Sequence, residues 1–247
     1  MTFTNAYKGT KKLFVAGILS LAGSVCVLLS IVPGILGISA VFSGSIGGFF
    51  TGGFAALLLL LAGLLLPVIA YILKMVGLAQ ARYDEPEFYQ GFLFATLALI
   101  FIVLDIVFSA LNIGNAVTQG IIQTVYGTLD VVVAVYVISG IRNLARKLED
   151  YKMAQNGSTL ARYITIFYAA GLFATLISVL FGSDLIMELL AGILSFIISI
   201  LNLVVYIIFL VYLGKAKKML KNGKAGPSLE KMLHAEPETE KELVPEN

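Results

Sequence analysis

The 247-residue chain has no tryptophan, one cysteine (Cys26) and one histidine (His234). Asp, Glu, Lys and Arg together supply 13% of it, against roughly 25% in water-soluble domains. Each shortage excludes something. A lone cysteine forms no internal disulfide, and one His with one Cys cannot build a His/Cys metal cluster within a single chain. With so little charge to coat a water-facing surface, the whole chain is neither a soluble enzyme, a nucleic-acid-binding domain nor a disordered protein. Without Trp, Tyr takes the interfacial anchor role, its ring apolar and its hydroxyl wet. Catalytic signatures are missing too. There is no HExxH, no Gly-rich loop followed by Lys-Ser/Thr, no GxSxG elbow, and no His in the apolar region to act as a base. Neither Val103-Leu104-Asp105 nor Thr128-Leu129-Asp130 matches the GxGD pattern of a paired-Asp intramembrane protease. A non-enzymatic chain without a cofactor or bound metal is the expectation.

What is abundant is apolar sequence: 59% hydrophobic residues and a mean hydropathy of +0.94. Residues 13–73 hold no Asp, Glu, Lys or Arg; residues 88–141 hold only Asp105 and Asp130, and residues 163–214 only Asp184 and Glu188. Each window is long enough for two crossings of about 20 residues. The runs are continuously apolar and lack the alternation of a membrane β-barrel. An all-α, polytopic transmembrane bundle follows, with six spans at about 13–32, 49–73, 91–111, 121–141, 163–182 and 189–213.

All 17 Lys and Arg fall on one side of this arrangement. They precede the first span, follow the second, fourth and sixth, and are absent from the loops 33–48, 112–120 and 183–188. By the positive-inside rule that side is cytoplasmic, and both termini with it. Tyr7, Tyr71, Tyr83, Tyr89, Tyr151, Tyr163 and Tyr212 lie near the same ends. The N-terminal apolar run is a full span with no small-residue cleavage site before a polar chain, so it reads as a retained helix of a plasma-membrane protein.

The chain also repeats itself. Phe88–Asp105 and Phe167–Asp184 share eight identities over 18 positions, LFATL among them. Three tandem hairpins, about 13–82, 88–148 and 163–220, make up a membrane domain of residues 1–221. Parallel repeats of this kind build some transport folds. The segment 142–162 reads as a charged extension of the fourth span, ended by Asn156-Gly157 and followed by the cap Ser158. Pro86 should break the helix near YDEPEFYQ, whose acids read as a solvated loop or, less simply, a divalent-ion site. Residues 222–247, rich in Gly, Pro and Glu, read as a disordered acidic tail.

Candidate sites lie on polar stripes. Asp105 is placed about 9 Å and Asp130 about 14 Å from the outer ends of their spans, at 1.5 Å per residue. No Lys or Arg lies in any predicted span, so neither acid is expected to have a basic partner, although a helix-centre Asp costs roughly 2.5–3.5 kcal/mol. Asp105, Ser109 and Asn112 share one helix face. Gln119, Gln123, Tyr126 and Asp130 share another, and Ser195, Ser199, Asn202 and Tyr206 a third. Lipid cannot satisfy them, so they face the interior, either as hydrogen bonds between helices or as an outward-opening cavity for protons, a cation or a small amine. Asp105, Asp130, Ser109, Asn112, Gln123, Tyr126 and Asn202 are the candidate substrate or ion ligands. Gly44, Gly48 and Gly52 form GxxxGxxxG, a close-packing motif within one chain or between copies. Lys215, Lys217, Lys218 and Lys221 form a rim suited to anionic lipid. The general expectation is a structural, assembly or accessory membrane component with a homo-oligomeric or membrane-subunit partner, a proton- or cation-coupled carrier being the alternative.

Overall fold

The computed structural model describes residues 3–42, 46–111, 116–181 and 185–223. Among them the chain is all helix: α1 Thr4–Phe42, α2 Ile46–Ala81, α3 Glu87–Ala110, α4 Ala116–Lys147, α5 Tyr151–Phe181 and α6 Leu185–Asn222. All six contain a stretch long and apolar enough to cross a membrane, as befits a multi-pass membrane protein. The expected tail from residue 224 onward, with His234, lies outside the described residues.

The helices outrun the predicted spans. α1 continues through Pro33 to Phe42, where an outer loop beginning at 33 was expected. Proline costs a backbone hydrogen bond in a helix interior, but neighbouring groups in a membrane bundle can satisfy the freed carbonyl. α2 continues eight residues beyond Leu73 to Ala81, which puts Lys74 inside a helix. The turn 82–86 then reverses the chain. Pro86, with φ −66°, is the N-cap of α3, and its missing N–H is one that a first turn leaves unpaired anyway.

The expected stop at Asn156-Gly157 is a correction. α4 ends at Lys147, and both residues lie within α5. The actual break has two causes. Glu149 takes the left-handed conformation, φ +60°, which ends a helix. Asp150 then caps the next one, its Oδ1 accepting the Met153 N–H at 2.9 Å, as an N-cap residue should. Gly157 serves instead as a site of close approach: a Cβ there would collide with Tyr212 of α6.

The helices close in a ring, each packed on its neighbours in sequence, with α6 returning to α1. The contact between α1 and α2 is the most extensive. A Cβ on Gly9 would lie 2.5 Å from the Gly77 carbonyl oxygen, and one on Gly63 would lie 3.3 Å from the Gly23 carbonyl oxygen. The two backbones therefore touch at points 14 residues apart on each helix. Gly44 lies outside the described residues, as do the surroundings of Gly48 and Gly52. The close packing that is described uses other glycines.

The large buried side chains gather at the cation-bearing end. Leu78, Phe88, Val137, Ile138, Ile141, Leu144 and Leu213 form one cluster with Ala6, Ala81, Ala145 and Ala216. Further along the helices most large apolar side chains are exposed, among them Leu58, Ile100, Phe173 and Phe196. That is the surface a bilayer covers.

Candidate functional site

Above the packed end the ring encloses a cavity of about 590 Å³ to which every helix contributes. Its floor is Leu13, Val133, Val137 and Leu213, all buried. Its walls are mainly apolar, with polar atoms from Ser20, Tyr71, Tyr126, Tyr168, Asn202 and Tyr206. Among the described residues two charged ones line it, Lys74 and Asp130.

These two form an ion pair, Lys74 Nζ donating to Asp130 Oδ1. Asp130 therefore does have a basic partner, contrary to expectation. Lys74 is one residue past the end of the predicted second span, and its flexible stem carries the ammonium to the cavity wall. The Lys74 side chain is 22% exposed and that of Asp130 59%. Lys74 also lies over the Tyr71 ring, 5.6 Å from its centre, a favourable placement for a cation.

The tyrosines fix the walls. Tyr71 donates to the Ala95 carbonyl, tying α2 to α3. Tyr206 donates to the Gly17 carbonyl at 3.0 Å, tying α6 to α1. Tyr168 bonds Thr128 Oγ1 at 2.9 Å and the Thr124 carbonyl at 3.3 Å, tying α5 to α4. Tyr71 and Tyr212 were expected as interfacial anchors. Tyr71 instead lines the cavity and Tyr212 is buried, whereas Tyr83, Tyr89, Tyr151 and Tyr163 are exposed.

Of the candidate ligands, the structure brings Asp130, Tyr126 and Asn202 to the cavity wall. Asp105 is not part of that wall. One carboxylate oxygen of Asp105, Oδ1, is buried without a hydrogen-bond partner. Ser109 and Gln123 are exposed and outside the wall, and Asn112 lies outside the described residues. Lys74, Tyr71 and Tyr168 were not among the candidates, whereas Tyr206 was already placed on the polar stripe of the sixth span. No spacing rule connects residues on separate helices; only the end of the apolar run at Leu73 placed Lys74 near a membrane boundary.

A second charged cluster lies outside the spans. Asp84 Oδ2 accepts the Ala6 N–H at 2.6 Å, satisfying a donor that the first turn of α1 leaves free. Glu85 is buried and accepts from Asn143 Nδ2 at 3.2 Å and from Lys147. Glu87 Oε1 takes the same amide at 2.6 Å. Burial opposes ionisation of Glu85, but hydrogen bonds with Lys147, Glu87 and Asn143 and the Lys147 charge outweigh it, holding the carboxyl below its ordinary value. These acids fasten the 82–86 turn to α1 and α4, so the reading of a solvated loop is corrected. On the α6 rim, Lys215, Lys218 and Lys221 are exposed, and Lys217 lies 4.6 Å from the centre of the Phe14 ring.

Compared with family models, curated proteins and solved structures, the chain matches none.

Proposed function

We propose that the chain is a small, non-enzymatic carrier of the plasma membrane in which Asp130 is the binding carboxylate and Lys74 its resident counter-ion. The ion pair inside a cavity bounded by all six helices carries this reading. A proton, cation or small amine entering the cavity competes with the Lys74 ammonium for Asp130. Displaced, the lysine keeps the Tyr71 ring as a neighbour. Asp105, with a buried carboxylate oxygen that lacks a hydrogen-bond partner, is the second stopping point. The confinement of cations to the packed end supports cytoplasmic termini. The order of helix contacts and the repeated LFATL segments support three tandem hairpins.

The two members of the pair act with opposite sign, and that is the test. Purified protein is reconstituted in vesicles and screened for uptake of protons, alkali cations and primary amines. Asp130→Asn should abolish uptake of the transported species, and Asp105→Asn should impair it. Lys74→Gln should tighten its apparent affinity, because the internal competitor is gone. Uptake that survives both Asp changes overturns the carrier reading.

An accessory role remains the second reading. It is favoured by the broad exposed apolar faces of Phe173 on α5 and Phe196 on α6, on which another membrane helix could pack. Purification with a stoichiometric partner or as an oligomer, without flux, would establish it.

A further inference from the structure

A second cavity, about 340 Å³, lies along the α1–α2 seam and shares no residue with the central one. It is lined by Lys8, Lys11, Lys12, Val15, Leu73 and Gln80. Lys8, Lys11, Lys12 and Val15 fall at i, i+3, i+4 and i+7 on one face of α1, and Leu73 and Gln80, seven apart, share a face of α2. The backbone contact of Gly9 with Gly77 draws the two helices together beside it, so that these side chains converge.

The chemistry of the groove is lopsided. Among the described residues three ammonium groups line it and no carboxylate does. Its one acceptor side chain, Gln80, has Oε1 buried with no hydrogen-bond partner. Toward the membrane the apolar surface continues as exposed Ile18 on α1 and exposed Ile69 on α2. A ligand that completes this groove is anionic, offers a hydroxyl donor, and carries an apolar tail.

We propose that the α1–α2 groove binds an anionic phospholipid whose headgroup bears a free hydroxyl. The phosphate oxygens accept from Lys8, Lys11 and Lys12. The headgroup hydroxyl donates to Gln80 Oε1, relieving a buried acceptor that otherwise goes unpaired. The acyl chains lie against Val15, Leu73 and the apolar stripe beyond. A soluble phosphate would meet the lysines and leave that apolar wall uncovered. The site is separate from the α6 lysine rim and independent of what the central cavity carries.

Native mass spectrometry of the full chain in mild detergent tests it with four probes: phosphatidylglycerol, phosphatidylethanol (same charge, no hydroxyl), phosphatidylcholine and soluble glycerol phosphate. Phosphatidylglycerol should bind tightest. Changing Lys8, Lys11 and Lys12 together to Gln should weaken it roughly a hundredfold, at about fivefold for each cation beside an anionic headgroup. The corresponding triple change to Arg should retain binding, which separates loss of charge from loss of folding. Gln80→Leu should reduce phosphatidylglycerol to the level of phosphatidylethanol. The proposal is overturned if the triple Gln variant binds like the parent. It is equally overturned if Lys215, Lys217, Lys218 and Lys221 changed to Gln lose as much, or if glycerol phosphate competes as well as the lipid. Phosphatidylglycerol and phosphatidylethanol binding equally to the unaltered chain would remove the hydroxyl and Gln80 from the site.

Discussion

Two lysine–carboxylate pairs sit in the same bundle and are built in opposite senses. At the cation-bearing end Glu85 is buried, its side chain 5% exposed, while Lys147 is 51% exposed. In the central cavity the order reverses: Asp130 is the open partner and Lys74 the covered one. Glu85 is also bonded by Asn143 and set against Glu87. Lys74 is the one hydrogen-bond donor to Asp130 among the described contacts. A buried acid with several fixed partners holds elements together. An open acid with one flexible counter-ion is available for exchange. The packed end should therefore respond to mutation in stability, and the cavity in binding.

The largest stability effect is expected at Glu85. Glu85→Ala removes the acceptor for Lys147 and part of the bonding of Asn143. The loss should be about 2–3 kcal/mol, as for charge-assisted hydrogen bonds at a buried group, read as a fall in melting temperature in mild detergent with vesicle uptake unchanged after refolding. The pH dependence follows from the sign of the shift. The carboxyl is held below its ordinary value when folded, so its contribution is complete above about pH 4.3 and fades as pH falls through and below that point. Glu85→Gln should flatten the parent's acid loss over that window. An equally steep profile would show that Glu85 is not a fastener.

Next comes the glycine seam. Gly9→Ala would place a methyl group 2.5 Å from the Gly77 carbonyl oxygen, and overpacking of this kind costs about 1–3 kcal/mol. Gly53→Ala on the same helix pair meets nothing within 4 Å and is the control. It should be neutral or slightly stabilising, since alanine favours helix. Equal effects at the two positions would mean the seam is not closely packed.

A smaller effect of opposite sign is expected at the α4–α5 turn. Glu149 holds a left-handed conformation that costs an L-residue roughly 1–2 kcal/mol. Glycine removes that strain but raises the entropy of the unfolded chain, which offsets part of the gain, leaving a net stabilisation of about 0.5–1 kcal/mol for Glu149→Gly in thermal melts. No change, or a loss, would show that the Glu149 side chain does more than its backbone suggests.

These sites differ in how far the sequence announces them. Charge-free windows reveal six apolar helices, because lipid solvation acts on composition over some 20 residues at a time. Helix ends are set by single backbone events. The φ of Glu149 and the cap by Asp150 are invisible beside the stronger turn signal of Asn156-Gly157, which a close approach by Tyr212 explains. The seam glycines escaped for a related reason. Gly9 with Gly23, and Gly63 with Gly77, are 14 residues apart, close to four helical turns, so they share a face without forming GxxxG. Asp130, Tyr126 and Asn202 were legible as polar residues stranded among apolar ones. Lys74 was not, because a boundary drawn at Leu73 assigned it to water.

The smallest stability change should come from erasing the cavity pair altogether. Removing one member leaves the other charge poorly compensated, but replacing both with apolar residues of similar size avoids that cost, and such exchanges are often neutral or stabilising. Lys74→Met with Asp130→Leu is therefore expected to leave the melting temperature unchanged or raise it, while uptake is lost. A structural pair would behave otherwise. Its loss would loosen contacts among α2, α4 and the Tyr71 link to α3, and the double variant would melt earlier. A destabilised double variant that still transported would assign Lys74 and Asp130 to the scaffold, and the contrast between the two ion pairs would disappear. Retained stability with lost uptake would mean that the two charges persist in an apolar cavity because a solute uses them.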